Sequence, residues 1–182
     1  SGPPVFALLL VWAPEMFSVL FGVQWREAGE LARLLIPGAF CFLFTSWPER
    51  IFEVAQRQRL ALSIQVVSDA VTVICVAAFL ARGATPWTAM LVYGILSVIY
   101  SMLYLWGIFV AGGFGSAGYY RILALAGLGL AGTASLLAIV RGLLTPLPTS
   151  FIVSIGIVCL LYGSLWLAKG TEWRSLMLES ES

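Results

Sequence analysis

The chain has 182 residues, of which 60% are hydrophobic and 10% charged, with a formal net charge of +1 and a mean hydropathy of +0.97. A water-soluble domain of this size needs far more polar surface, and a near-neutral chain carries no electrostatic signature of a nucleic-acid partner. With no histidine, the commonest general base and metal ligand is absent, and ordinary enzymatic chemistry is not indicated.

A bilayer core about 30 Å thick is crossed by roughly 20 apolar residues in a helix. Six such stretches are expected, at Pro4 to Phe21, Leu31 to Phe52, Leu60 to Ala81, Trp87 to Val110, Ile122 to Val140 and Phe151 to Ala168. Runs such as Val71 to Leu80 lack the alternation of a membrane β-barrel. The expected fold is therefore all-α, a polytopic transmembrane helix bundle. Beginning Ser1-Gly2-Pro3-Pro4, without an initiator methionine or a cationic leader, the chain reads as a fragment of a longer polypeptide.

In the first span, Pro14 predicts a kink. Gly22 marks a helix stop, and Trp25, Ala28, Ala32 and Leu35 oppose Arg26, Glu30 and Arg33, predicting a short amphipathic connector in the headgroup layer. Pro37 is expected to bend the entry to the second span. That span carries a polar stripe of Thr45, Glu49, Glu53 and Gln56, with Arg50 and Arg57 beside it. Arg50, Arg57 and Arg59 are candidates for attracting a phosphate or pyrophosphate headgroup, because guanidinium forks match phosphate geometry; plain interfacial anchoring explains them equally well.

In the third span, Asp69 stands near the middle, where an ionised carboxylate costs about 2.5 to 3.5 kcal/mol on insertion scales. Gln58, Gln65, Asp69 and Thr72 follow at spacings of seven, four and three, so they share one helix face. Asp69, Gln65 and Thr72 are candidates for proton or ion coupling or for lining a cavity, and the alternative is hydrogen-bonded packing. Tyr93, Ser97, Tyr100 and Tyr104 stripe the fourth span in the same way. Polar stripes on successive spans line an aqueous path or hold the bundle together through interhelical hydrogen bonds.

Arg82-Gly83-Ala84-Thr85-Pro86 is a tight turn. Gly113, Gly115 and Gly118 spell GxGxxG, but between two membrane helices this is a flexible linker rather than a dinucleotide fingerprint. In the fifth span Gly127, Ala131 and Ser135 form a small-residue ridge for a neighbouring helix. Thr145-Pro146-Leu147-Pro148 separates the last two spans, and a polar tail covers residues 169–182. Cys41, Cys75 and Cys159 each sit alone in a span and behave as small apolar residues. No metal site, cofactor or catalytic residue is expected. Six basic residues (Arg50, Arg57, Arg59, Arg121, Lys169, Arg174) fall on one side and four (Arg26, Arg33, Arg82, Arg141) on the other, so the first set is expected to be cytoplasmic.

The stretch Pro14 to Leu35, with its late proline, Leu20-Phe21-Gly22, Trp25, Ala28 and Leu34-Leu35, resembles the C-terminal part of the polysaccharide biosynthesis proteins. These are the O-antigen and exopolysaccharide flippases of the multidrug/oligosaccharidyl-lipid/polysaccharide exporter superfamily. Gln56-Arg57-Gln58-Arg59-Leu60-Ala61-Leu62 resembles that family's loop, where a Gly-Arg pair commonly precedes the next helix. The chain departs from the family at Gly83 to Ala89, where a Gly-Ile-Gly-Ala-Ala-like entry is usual. The resemblance covers Pro4 to Val110 and reaches the last two spans by number only.

The resemblance implies a larger two-lobed transporter of about 12 to 14 spans, with further N-terminal spans in the same polypeptide. It implies undecaprenyl-pyrophosphate-linked oligosaccharide as substrate, flipped across the bacterial inner membrane for O-antigen, capsule or exopolysaccharide export, without covalent catalysis. Rival readings are a cation-coupled multidrug exporter of the same superfamily, a membrane glycan polymerase or ligase, and a non-transporting structural subunit.

Overall fold

Proline and glycine punctuate the apolar runs at the places where the helices break. A computed structural model describes residues 3–46, 48–143 and 149–164, and among them no strand occurs. The helices are α1 (Pro3–Phe21), α2 (Arg26–Ser46), α3 (Ile51–Val54), α4 (Gln58–Ala81), α5 (Pro86–Gly112), α6 (Ser116–Leu143) and α7 (Thr149–Ser164). Of these, α1, α2, α4, α5 and α6 are long and apolar enough to cross a membrane. The protein is an all-α helical membrane protein. α7 is shorter, and the sixth expected span runs past the described residues, as do the 145–148 linker and the 169–182 tail.

Three helix ends share one hydrogen-bonding pattern. After α3, α4 and α5 a residue turns left-handed, at Gln56 (φ 54°), Gly83 (φ 78°) and Gly113 (φ 69°). In each case the next N–H reaches back five residues: Arg57 to the Phe52 carbonyl at 2.8 Å, Ala84 to Phe79 at 3.1 Å and Phe114 to Phe109 at 2.9 Å. These are Schellman caps, which satisfy carbonyls that a helix end otherwise orphans. Gly113, expected as part of a flexible linker, is instead a defined helix stop. At the other end of α5, Thr85 Oγ1 accepts from the Thr88 N–H and Pro86 opens the helix, where its missing N–H costs nothing.

Two expected boundaries move. The amphipathic connector and the second span are one continuous helix, α2, because nothing between Arg26 and Ser46 breaks it; Gly29 and Pro37 both lie inside. That helix ends at Ser46 rather than Phe52, since Pro48 lacks an N–H and disfavours helix at the residue before it. The chain resumes as a 3-10 turn, Pro48–Arg50, and then α3.

The chain forms two compact units, one of Trp12–Leu128 and one that joins the described residues of Ser1–Val11 and Gly129–Ser182. In the larger unit α5 is central. α2 runs parallel to it, Gly94 facing the Leu34 carbonyl and Ser97 facing Gly38. α4 runs antiparallel, with Arg57 near Val110 and Ile64 near Gly107. A core of Phe52, Leu105, Ile108 and Ala111 lies at the α3 end, with Tyr104, Phe109, Tyr119 and Leu123 against it.

In the smaller unit α1 and α6 advance in the same direction, Pro3 beside Gly129 and Val11 beside Arg141. The Val11 carbonyl accepts a 2.7 Å bond from Arg141 Nη1. Arg141 thus ties the last turn of α6 to α1. Of the Gly127, Ala131, Ser135 ridge, Gly127 has open space beside it and Ala131 and Ser135 are exposed among the described residues.

Candidate functional site: a polar trough along α5

Residues four, three and four apart fall on one stripe of a helix, and α5 carries Tyr93, Ser97, Tyr100 and Tyr104 at those steps. The stripe runs from the side of α5 that meets α2, at Gly94 and Ser97, toward the side that meets α4, at Gly107. It therefore forms the floor of a trough with α2 and α4 as walls. Tyr93 is 46% exposed, while Tyr100 and Tyr104 are half-buried. Phe52 closes one end, its ring 5.3 Å from that of Tyr104, which lies 5.6 Å from Tyr100.

The small hydroxyls are satisfied within their own helices. Ser97 Oγ donates to the Tyr93 carbonyl at 2.8 Å, Ser101 Oγ to Ser97 at 2.9 Å, and the buried Thr45 Oγ1 to Phe42 at 2.8 Å. Back-bonding of this kind lets a hydroxyl enter an apolar layer without a partner on another helix. Interhelical gluing by these groups, one of the two expectations for the stripes, is not their use here.

On the α4 wall, the half-buried Ile64, Ser68, Thr72 and Cys75 mark the side toward α5, and Asp69 and Gln65 stand exposed on its shoulder. The expected face of Gln58, Gln65, Asp69 and Thr72 thus exists as one stripe, since α4 is unbroken from Gln58 to Ala81. The Thr45, Glu49, Glu53, Gln56 stripe does not survive as one face: Pro48 splits it, leaving Thr45 buried in α2, Glu49 in the 3-10 turn, Glu53 exposed on α3 and Gln56 in the left-handed cap.

The three arginines sit at the Phe52 end, all exposed. Arg50 precedes α3, and Arg59 lies in the first turn of α4. Arg57 Nη1 donates to the Val110 carbonyl at 3.2 Å, in the last turn of α5. A guanidinium there meets the negative end of the helix dipole, so part of its role is to tie α4 to α5. At the opposite end Arg26 lies 3.9 Å from both Glu15 and Glu30, separations that in exposed pairs contribute little.

Sequence reasoning missed Phe52 as the end wall and missed Gly38 and Gly94 as the positions that bring α2 onto α5. Their signal was faint, one Gly among others on each of two helices that are not sequential neighbours. Cys41, Cys75 and Cys159 are free thiols, and no group of three His, Cys, Asp or Glu side chains converges as a metal site among the described residues. Gly115 and Gly118 flank the start of α6, which is not the strand-to-helix turn that a dinucleotide fingerprint needs. No protein-family description, curated protein or solved structure matches the chain.

Proposed function

We propose that this chain is the C-terminal part of a transporter that flips undecaprenyl-pyrophosphate-linked oligosaccharide across the bacterial inner membrane for polysaccharide export. The observation that carries the reading is the trough: a polar stripe from Tyr93 to Tyr104, walled by apolar helices, ending beside Arg50, Arg57 and Arg59. A glycan needs hydroxyls and carboxylates along its path, and a pyrophosphate needs guanidinium groups at the membrane surface. The resemblance of Pro14 to Leu35 and Gln56 to Leu62 to the flippase family points the same way. In this reading the lipid-linked oligosaccharide and the remaining N-terminal spans of the same polypeptide are the partners, Asp69 with Gln65 and Thr72 serves coupling, and the arginines attract the headgroup.

The test is leaflet translocation of a fluorescent polyprenyl-pyrophosphate oligosaccharide in vesicles holding the complete protein. Protein-dependent movement that falls in Asp69→Asn supports the reading, and no movement across a panel of glycans removes it. A second reading, a cation-coupled multidrug exporter, is favoured by one observation: Asp69 lies midway along the unbroken helix α4, with Gln65 and Thr72 on the same stripe. Drug efflux that needs a proton or sodium gradient and is lost in Asp69→Asn, without glycan movement, selects it.

A further inference from the structure

α5 carries two exposed tryptophans, Trp87 and Trp106, nineteen residues apart in one unbroken helix. At about 1.5 Å per residue they stand about 28 Å apart along it, close to the roughly 30 Å of a bilayer's hydrocarbon core. Tryptophan favours the two edges of that layer.

Contacts set the neighbouring helices level with α5. α2 runs parallel to it with Leu34 at Gly94, which brings the exposed Trp25, nine residues earlier, to within one turn of Trp87. α6 folds back with Gly118 beside Phe109, so the exposed Tyr120 and Arg121 come level with Trp106. Each tryptophan thus has an aromatic companion on a second helix.

Charge divides at the same two levels. Arg57 reaches Val110, one turn outside Trp106, and Arg59 lies five residues before Ile64, which packs on Gly107, so it too falls outside. At the other level Arg82 lies in the turn before α5, and Arg26 opens α2 beside Pro86. Glu30 and Arg33 of α2 and Asp69 of α4 fall between the levels, each within two turns of one of them.

We propose that the hydrocarbon layer is registered on the larger unit by these aromatic pairs, with Trp87 and Trp25 just inside one surface and Trp106 and Tyr120 just inside the other. α4 is then offset in the layer, because its first turn, from Gln58, projects past the Trp106 surface. Asp69, five residues after Ile64, comes level with Met102, about 6 Å inside that surface rather than near the middle of the membrane. The midplane crosses α4 near Ile74 and α5 between Ile95 and Ile99. Asp69 is therefore a group of the arginine end, near headgroups and water, where a carboxylate is less costly than at the centre. This register follows from the helices and holds whatever the protein carries.

The experiment places single nitroxide labels at Val66, Ala70 and Ile74 of α4 and at Leu91, Ile95 and Leu103 of α5. The complete protein, with Cys41, Cys75 and Cys159 replaced, is reconstituted in phosphatidylcholine vesicles, and depth is read from the ratio of label collisions with oxygen to those with a nickel chelate. All six positions are exposed, so labelling leaves the packing intact. The deepest labels should be Ile74 on α4 and Ile95 on α5, with Ala70 about 6 Å shallower than Ile74. A profile on α4 that peaks at Ala70, centred on Asp69, overturns the proposal. So does a profile on α5 that is deepest at Leu91 or Leu103.

Discussion

The two sides of α5 solve the same packing problem differently. Toward α2, the contact is backbone against backbone: a Cβ on Gly94 would strike the Leu34 carbonyl, and one on Gly38 would lie 2.7 Å from the Ser97 Cβ. Toward α4, the contact is a side-chain tip, with Ile64 Cδ1 2.7 Å from where a Gly107 Cβ would be, and α4 buries no residue. In lipid no hydrophobic force drives helices together, so close approach at small residues supplies the attraction. The α2 side is therefore the fixed wall of the trough, and the α4 side, which carries Asp69, is the adjustable one.

Gly94→Ala should break the fixed side. Overpacking against a backbone atom costs up to about 3 kcal/mol, and the gain in helix propensity returns about 1, leaving about 2 kcal/mol of net destabilisation by SDS titration in mixed micelles. Gly107→Ala sharpens the contrast, since Ile64 can swing its terminal methyl; its unfolding midpoint should stay within about 0.5 kcal/mol of wild type. A cost at position 107 equal to that at 94 would erase the distinction between the two walls.

Arg57→Gln should loosen the adjustable side by about 1 kcal/mol, through loss of the guanidinium at the C-terminus of α5. Hydrogen exchange in the last turn of α5 should rise with it. Gln56→Gly should tighten the α3–α4 connection by about 0.5 kcal/mol, because left-handed backbone that strains glutamine is open to glycine, at some entropic cost. Smallest of all, Asp69→Asn should shift stability by under about 0.5 kcal/mol, as expected for an exposed position outside any paired network. Under the proposed function, its effect falls on translocation instead.

The helices were legible because hydropathy and length are decisive when the solvent is hydrocarbon, and the polar stripes on α4 and α5 followed from their spacing alone. Local chemistry was less legible at the joints. Gly29 sits inside α2, where a Cβ would lie 2.6 Å from the Pro14 Cα, so close approach of a neighbouring helix explains it. Pro48 was within the expected second span, and its missing N–H outweighed the surrounding apolar run. The contact of Phe52 with Tyr104 could not be read from spacing, because it depends on α3 packing against a helix that comes later in the chain.

The account rests on the Tyr93 to Tyr104 stripe facing water or substrate while the opposite side of α5 faces lipid. The direct test replaces Cys41, Cys75 and Cys159 with serine or alanine and introduces single cysteines at Tyr93, Ser97, Tyr100 and Tyr104, and at the exposed apolar positions Ile95, Ile99 and Trp106 of the complete protein in vesicles. Reaction with a charged methanethiosulfonate along the first set and not the second is the predicted result. Equal protection of both sets would show that no polar path runs along α5 and would contradict the account.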